Sequence, residues 1–333
     1  MTKIIAEAGV NHNGDLQKAL KLVARAKTSG ADYIKFQIYN RHEQISKYAN
    51  TASYQKKNTK NAKMLKMASA YDLKLQDHKI IKKFAEKVGI KYLASCFDID
   101  SVKFYKKNLN SNEIKIASGE ITNLELLEFI KKKFKKIFLS TGMSSFREIK
   151  RAVSKLQTKE NEIIIFHCIS LYPAQNKDLN LNFIKTLKHK FKRQIGFSDH
   201  TKNNYAAQLA VACGATYLEK HITLSNQMPG PDHKASLNPK KMKLFINSIK
   251  KVDKILGSYK KTINKNELQM IKYARRGIVA KRNLLKGSII NKKNFTFKRP
   301  CVGIPCESFY KYHNKIITKN LLHDQNLFLT HLK

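Results

Sequence analysis

Short apolar runs alternate with helix-length amphipathic segments along the first 257 residues of the chain. The segment 15–27, for example, places Leu16, Leu20 and Val23 at helical spacing directly after an Asn-Gly turn. The apolar runs predict β-strands at residues 3–8, 33–39, 91–97, 113–118, 136–141, 162–169, 194–197 and 217–220. The amphipathic segments predict helices at residues 15–27, 75–87, 101–107, 124–134, 146–156, 181–191 and 203–215, and a last helix that begins at Asn238-Pro239.

Eight strand–helix units in sequence predict an α/β fold, a (β/α)8 TIM barrel, over residues 1–257. A doubly wound dinucleotide-binding sheet is the alternative, but no GxGxxG motif follows the first predicted strand. The polar segment 40–70 is expected to be a long irregular loop, and such a loop inside a compact domain usually has a function.

The pattern changes after Gly257. Residues 258–270 are polar and charged, which predicts a linker. Residues 271–333 contain short β-type runs with turns at Gly287 and Gly303, which predicts a small, mostly β domain. A domain of this size is marginally stable alone, so we expect it to pack against another body.

Polar residues follow nearly every predicted strand, and in a barrel these strand ends form the active-site face. The strand ends supply Glu7, Lys35, Gln37, Ser95, Lys115, Ser118, Glu120, Ser140, Ser170, Tyr172, Ser198, His200, Glu219 and His221. An ammonium group with hydroxyl donors, as at Lys115 and Ser118, can hold a phosphate or a carboxylate. One such residue is more often a loop contact, whereas a complete ring of them predicts an anion site.

Two histidines end neighbouring predicted strands, in the segments SDH (198–200) and EKH (219–221). Neighbouring parallel strands place their ends side by side, so His200 and His221 are candidates to share one divalent metal ion. The alternative is that they only cap their strands. With Asp232 nearby, such a metal would act as a Lewis acid on a carbonyl group. Glu7 is a candidate general base, and the alternative is that it caps a turn. An anion site beside such a metal predicts condensation chemistry.

The charge balance is strongly basic, with 65 Lys and Arg against 24 Asp and Glu and a formal net charge of +41. The lysines are spread over many helices, without a basic tail or a zinc finger, so nucleic-acid binding is not the expected role. A non-catalytic polyanion-binding protein is the alternative from another class. Scattered cysteines, an early polar N-terminus and no membrane-length apolar run predict a cytoplasmic protein without a membrane partner.

Several short segments resemble, in order, the sialic acid synthase family. These segments are IIAEAGVNHNGDL, GADYIKFQ, YQKKNT, KIASGEITNLELLE, LSTGM, LYPA, GFSDHT, EKHIT and MPGPDHKAS. The tail RRGIVAKRNLLKGSII…FTFKRP resembles the family's C-terminal SAF (antifreeze-like) domain. The resemblance implies a metal-dependent transferase that condenses phosphoenolpyruvate with N-acetylmannosamine or a related acetamido sugar. The product would be a nine-carbon 2-keto sugar acid, and phosphate would leave by C–O cleavage.

The resemblance also implies roles for individual residues. His200 and His221 would be the metal ligands, with Mn²⁺ the expected ion, and Glu7 would activate or orient the attacking water. The residues implied at the phosphoenolpyruvate end are Lys115, Ser118, Ser140, Ser95 and Ser170, and Ser198 is assigned to substrate binding with them. The residues implied for the open-chain sugar are Gln37, Asn58, Tyr172, Glu120 and Asp232. Arg299 would reach the N-acetyl group across a domain-swapped homodimer.

The chain departs from the family pattern near two strands. Residues 94–98 are ASCFD where family members often have STPFD, so Ser95 keeps its hydroxyl group without the following proline. Ile169 stands where a threonine is usual, and related members have asparagine near Ser170. These differences leave the sugar open, and legionaminic or pseudaminic acid synthases, which use diacetamido-trideoxy hexoses, are the alternatives.

Overall fold

The computed structural model describes residues 1–51, 56, 59 and 63–332. The chain divides into two compact units, Met1–Gly257 and Ser258–Lys333. Asn58, expected at the sugar site, lies outside the described residues. Within the described residues, no helix combines the length and the apolar character that crossing a membrane requires.

Eight parallel strands form a closed barrel in the first unit, and each strand pairs with the next one along the chain. The last strand pairs with the first, from Lys3↔Tyr217 to Glu7↔His221, and so closes the sheet. The predicted (β/α)8 fold is therefore confirmed. The barrel strands are β1 Lys3–Gly9, β2 Tyr33–Ile38, β3 Lys91–Cys96, β4 Glu113–Ile116, β5 Lys136–Ser140, β6 Glu162–Cys168, β7 Ile195–Asp199 and β8 Tyr217–His221.

Helices follow the strands, and polar caps define where several of them begin. Asp15 accepts a hydrogen bond from the Lys18 N–H group at the start of the first helix, and Asn238 caps the last barrel helix, which starts with a proline. The described helices are α1 Leu16–Ser29, α2 Arg41–Gln44, α3 Met64–Ala70, α4 Leu75–Val88, α5 Ile99–Lys107, α6 Leu124–Lys131, α7 Phe146–Leu156, α8 Asn182–Phe191, α9 Tyr205–Ala212, α10 Pro239–Leu256, α11 Lys265–Ala274 and α12 Phe309–Tyr312.

Two apolar clusters stabilise the barrel unit. Outward-facing strand residues pack against the helices in one large buried cluster. A second buried cluster consists of Ile5, Tyr33, Leu93, Phe138, Ile164, Phe166 and Tyr217. Side chains alternate between the two faces of a strand, so the next inward positions lie two residues further along each strand. This register places Glu7 and Lys35 directly above the inner cluster, one layer nearer the C-terminal ends of their strands.

Two regions differ from the sequence expectation. The segment 40–70, expected to be an irregular loop, contains α2 and α3 among its described residues. In the second unit, the described residues form one antiparallel pair, β9 Gly277–Ala280 and β10 Phe295–Lys298, among turns and short helices. Other β-type runs there meet only through isolated bridges such as Ile289↔Ile316, which are too short to form strands. The predicted linker also contains the start of α11.

Candidate active site

Two lysines and two glutamates form a cluster inside the barrel at the C-terminal ends of its strands. Lys35 Nζ lies 3.2 Å from Glu7 Oε2 and 3.4 Å from Glu219 Oε2. Lys115 Nζ lies 3.2 Å from the same Glu219 oxygen. All four side chains are buried. Their charges are therefore held together away from bulk water, where electrostatic interactions are strong and respond to any added ion.

The two glutamates of this cluster differ in their proton affinity. Burial raises the pKa of Glu7 to about 7, although Lys35 opposes the shift. Burial would also raise the pKa of Glu219, but Lys115 and Lys35 outweigh it and lower that pKa to about 2. Near neutral pH, Glu219 is thus a fixed carboxylate while Glu7 is partly protonated. The lysine pair is left without full counter-charge, which suits an anionic ligand.

Lys115 is positioned by an aromatic ring and, indirectly, by a glycine. Its Nζ lies 3.5 Å from the centroid of the Phe166 ring, within the range of a cation–π contact. A Cβ atom at Gly196 would come within 2.5 Å of that ring, so the glycine makes room for Phe166. Lys115 Nζ is buried and pairs with Glu219 Oε2 at 3.2 Å, and an ammonium group has three donors, so this pair does not use all of them. A buried ammonium group with unused donors indicates a place for an anion.

Serine hydroxyl groups line the same cavity around a close approach of the backbone at Gly142. Ser118 Oγ accepts a hydrogen bond from the Gly142 N–H group at 3.0 Å. A Cβ atom at Gly142 would lie 2.2 Å from Ser170 Oγ and 2.9 Å from Ser118 Oγ. Glycine is therefore required for the loop after β5 to approach these hydroxyl groups, and Ser140 joins them from the end of β5.

His200 and His221 stand beside each other, with ring centroids 5.8 Å apart. His200 Nδ1 lies 2.7 Å from the carbonyl oxygen of Ile169, which places the proton on Nδ1 and leaves Nε2 as the acceptor. His221 Nδ1 is buried and has no hydrogen-bond partner among the described residues. Burial lowers the pKa of both imidazoles, to about 3 for His221, so both rings are neutral at pH 7.

Two neutral imidazoles, one with a buried unpaired nitrogen, fit a divalent transition-metal ion. Among the described residues, no group of three or more His, Cys, Asp or Glu side chains is arranged to hold a metal. A metal ion held by the two histidines would therefore keep several coordination positions for water or for a substrate oxygen, as catalytic metal sites do.

A buried ion pair joins the two strands that end in these histidines. Lys220 Nζ lies 2.8 Å from Asp199 Oδ2 and also donates to the carbonyl oxygen of Thr201. Asp199 Oδ1 accepts a hydrogen bond from the Thr201 N–H group at 2.9 Å. Because Asp199 precedes His200 and Lys220 precedes His221, the pair fixes the strand ends that hold the imidazole rings.

Replacing Lys220 with methionine is expected to destabilise the protein by about 3–5 kcal/mol, because Asp199 would remain as a buried, unpaired charge. The double variant Asp199→Asn/Lys220→Met should recover much of this loss, since no charge is then left behind. Urea unfolding followed by circular dichroism measures both effects. Lys103→Met, which breaks an exposed ion pair with Asp100, is the matched control and should have a far smaller effect. If Lys220→Met and Lys103→Met lowered the free energy of unfolding equally, the result would contradict this account of the buried pair.

The loop after β8 is held in place by side chains of the loop after β1. Asn11 Nδ2 donates to Ser236 Oγ at 2.8 Å, and Asn13 Oδ1 lies 3.0 Å from His233 Nε2. These bonds explain why polar residues directly follow the first strand. They place Asp232 on the cavity lining, where burial raises its pKa to about 6.

The lysine–glutamate cluster, the serine hydroxyl groups, the two histidines and Asp232 line one cavity of about 410 Å³. On the side of the cavity formed by the ends of β2 and β3 and by the segment that contains α3, six lining residues form an apolar wall beside the polar Gln37, Gln44, Tyr71 and Ser95. The residues of this apolar wall are Tyr39, Ile45, Met64, Met67, Ala68 and Phe97. In the order of the closed barrel, β2 and β3 lie across from β6 and β7, so the apolar wall faces the polar ends of the later strands.

Most of the site residues expected from the sequence come together in this cavity. They are Glu7, Gln37, Ser95, Lys115, Ser118, Ser140, Ser170, Tyr172, Ser198, His200, His221 and Asp232. Glu120 is not among the lining residues, and its carboxylate accepts a hydrogen bond from Asn123 Nδ2 at 2.9 Å. Arg299 belongs to the second unit, and its contact with a sugar in a partner subunit stays a prediction.

Lys35 and Glu219 are central to the site, although the sequence identified them only as polar strand ends. Their signal is a spacing of two residues, from Lys35 to Gln37 and from Glu219 to His221, which places each pair on one face of its strand. The apolar wall had no comparable signal, because its residues come from three separate segments of the chain.

Comparisons with known proteins agree with the active site that the geometry indicates. Residues 22–261 match the NeuB family. The chain is 42% identical over 328 residues to the N,N'-diacetyllegionaminic acid synthase of Campylobacter jejuni, covering 97% of this chain and 98% of that protein. It is 37% identical over 336 residues to the synthase of the same name from Legionella pneumophila, covering 99% of this chain and 94% of that protein.

A solved structure is similar over most of the chain. It is the N-acetylneuraminic acid (sialic acid) synthetase of Leptospira borgpetersenii in complex with citrate, at 34% identity and a TM-score of 0.74. The match covers 81% of this chain and 90% of that one. The resemblance to sialic acid synthases is thus confirmed, and the chain belongs to the NeuB family.

Proposed function

We propose that the protein is a synthase of the N,N'-diacetyllegionaminic acid type, which condenses phosphoenolpyruvate with a diacetamido-trideoxy hexose and releases phosphate. The observation that supports it most is one cavity that joins a buried lysine pair and serine hydroxyl groups to two neutral histidines. The similarity to two legionaminic acid synthases supports this sugar over N-acetylmannosamine, the sugar expected first from the sequence.

Phosphoenolpyruvate is proposed to bind with its phosphate and carboxylate groups beside the lysine pair. Lys35 and Lys115 would supply ammonium donors, and Ser118 and Ser140 would supply hydroxyl donors. Burial lowers the pKa of Lys115, and the charge of a bound anion would favour its ammonium form. The anion would thus use the donors of Lys115 that its pair with Glu219 does not occupy.

His200 and His221 are the residues proposed to hold a divalent ion, with Mn²⁺ the expected one. When bound, such an ion supplies Lewis-acid polarisation of a carbonyl oxygen. The chain orients the two rings for this purpose through the carbonyl oxygen of Ile169 and through the buried Asp199–Lys220 pair.

The proposed reaction forms one carbon–carbon bond and breaks one carbon–oxygen bond. C3 of phosphoenolpyruvate attacks the aldehyde carbon of the open-chain sugar, and the aldehyde oxygen takes up a proton. Water adds at C2 and loses one proton, the bond from C2 to the phosphate oxygen breaks, and the new C2 hydroxyl group gives its remaining proton to the leaving phosphate as it becomes the keto group. Glu7 is proposed to orient or deprotonate this water, since its raised pKa of about 7 allows it to exchange a proton near neutral pH.

Arg299 and the second unit are proposed to complete the site in a domain-swapped homodimer, with the second unit as an SAF domain. The guanidinium group is a fixed fork of donors that suits the carbonyl oxygen of an acetamido group. In support, the similarity to the Campylobacter synthase extends over nearly all of both chains and so includes the second unit.

Phosphate release tests the proposed function directly. Purified protein is incubated with phosphoenolpyruvate, MnCl₂ and either N-acetylmannosamine or the diacetamido-trideoxy hexose precursor of diacetyllegionaminic acid. We expect kcat/KM to be at least about tenfold higher for the diacetamido sugar, the range that small apolar groups produce in a matched pocket. Preference for N-acetylmannosamine would instead identify a neuraminic acid synthase. Turnover of no sugar, with steeply salt-dependent binding of polyanions, would favour the non-catalytic alternative.

A further inference from the structure

We propose that the apolar wall selects the sugar, by packing against the additional acetyl methyl group and the deoxygenated carbon of a diacetamido-trideoxy hexose. This inference rests on the proposed function and adds to it the residues that discriminate between sugars. The anion site and the two histidines would serve any acetamido sugar with an aldehyde, so they cannot make this distinction themselves.

Contacts within the protein hold the apolar wall in place. Ile45, Met67 and Ala68 are each 7% exposed, although they line an open cavity. The rings of Tyr39 and Phe97 pack edge to face with centroids 6.2 Å apart. Such a preorganised surface loses little conformational entropy when a ligand packs on it.

Two polar contacts hold this segment together. The Tyr39 hydroxyl group donates to the carbonyl oxygen of Ala68 at 3.4 Å. Arg41 forms an ion pair with Asp72 at 2.9 Å, which ties the start of the segment to its end. The position of α3 over the cavity is therefore fixed from both sides, and the two methionines of α3 face a defined space.

The chemistry of the apolar wall matches the more apolar of the two sugars. The side chains of Met64, Met67 and Phe97 line the cavity. None of the three has a hydrogen-bonding group strong enough to replace water at a sugar hydroxyl group. A hydroxyl group buried there loses its hydration without compensation, whereas a methyl group gains contacts. Methionine adapts its shape to such groups because its side chain is unbranched and polarisable. A single methyl-sized difference in an apolar pocket changes kcat/KM by about 10–200-fold.

The test measures kcat/KM for both sugars and KM for phosphoenolpyruvate in Met67→Gln and in Met64→Gln. Glutamine keeps the length of methionine and adds a polar end. We expect kcat/KM for the diacetamido sugar to fall about tenfold or more, while the value for N-acetylmannosamine stays the same or rises. KM for phosphoenolpyruvate should change less than twofold. Lys66→Gln, on the exposed face of the same helix, is the matched control and should leave both sugars unaffected.

The outcomes separate this inference from the proposed function. Two results would overturn the role of the apolar wall and leave the proposed function intact. In the first, the wild type prefers the diacetamido sugar and both variants keep that preference. In the second, the variants lose kcat/KM equally with both sugars. A wild-type enzyme that prefers N-acetylmannosamine or uses neither sugar would overturn both. If the buried Met67→Gln variant has a lowered melting temperature, the partly exposed Met64→Gln variant decides the question.

Discussion

Replacing His221 with alanine is expected to lower phosphate release by more than about 100-fold and to weaken Mn²⁺ binding in parallel. Loss of a residue that only orients a metal ligand typically costs about 10–100-fold in affinity or activity, and loss of a ligand should cost more. His221 is neutral and partly exposed, and its buried Nδ1 has no hydrogen-bond partner among the described residues, so the fold itself makes little use of this atom. The expected loss is therefore one of function and not of folding.

Isothermal titration with MnCl₂ and a phosphate-release assay measure the two effects of His221→Ala, and thermal melting checks the fold. His189→Ala removes an exposed imidazole from α8 and is the matched control, with no expected change in either measurement. His200→Ala should behave like His221→Ala and should also free the carbonyl oxygen of Ile169. Unchanged Mn²⁺ affinity in both variants would show that the metal, if required, binds elsewhere.

The barrel and most of the site could be predicted because both depend on local periodicity. Apolar runs at regular intervals define the strands, and a spacing of two residues identifies which side chains point inward. Gln37 and His221 were expected at the site because they end predicted strands, and strand ends form the active-site face of a barrel. Their neighbours Lys35 and Glu219 follow from the same spacing, but their ion pairs join strands that are not adjacent in the sheet. Such contacts depend on the width and register of the closed barrel, which no short sequence window contains.

The segment between β2 and β3 shows the other limit of sequence reasoning. Its polar, lysine-rich composition predicts an irregular loop, yet α3 folds there and places Met64 and Met67 on the cavity. A helix of seven residues is too short to have a clear periodic signal, and tertiary contacts stabilise it. In the second unit, the described apolar runs other than β9 and β10 meet through isolated bridges, so their composition predicts more strand than forms.

Replacing Lys115 with methionine is expected to lower kcat/KM for phosphoenolpyruvate by about 10²–10³-fold, the typical effect of removing one donor from a preorganised anion site. Methionine is close to lysine in length and can still pack on the Phe166 ring, so the main change is loss of the ammonium group. Lys35 would remain as the ion-pair partner of Glu219 among the described residues. Some loss of stability is therefore expected together with the loss of activity, and the two effects must be separated.

The double variant Lys115→Met/Glu219→Gln separates them, because it removes the buried carboxylate that the single variant leaves partly unpaired. Its melting temperature should return toward that of the wild type while phosphoenolpyruvate binding stays weak. Binding is measured without turnover by the shift in melting temperature with added phosphoenolpyruvate, since a ligand at 100 times its Kd stabilises the folded state by about 2.7 kcal/mol. We expect this shift in the wild type and in neither variant. An undiminished shift in the double variant would mean that Lys115 balances Glu219 within the barrel and does not hold the substrate, and the anion would then have to be assigned to Lys35 and the serine hydroxyl groups alone.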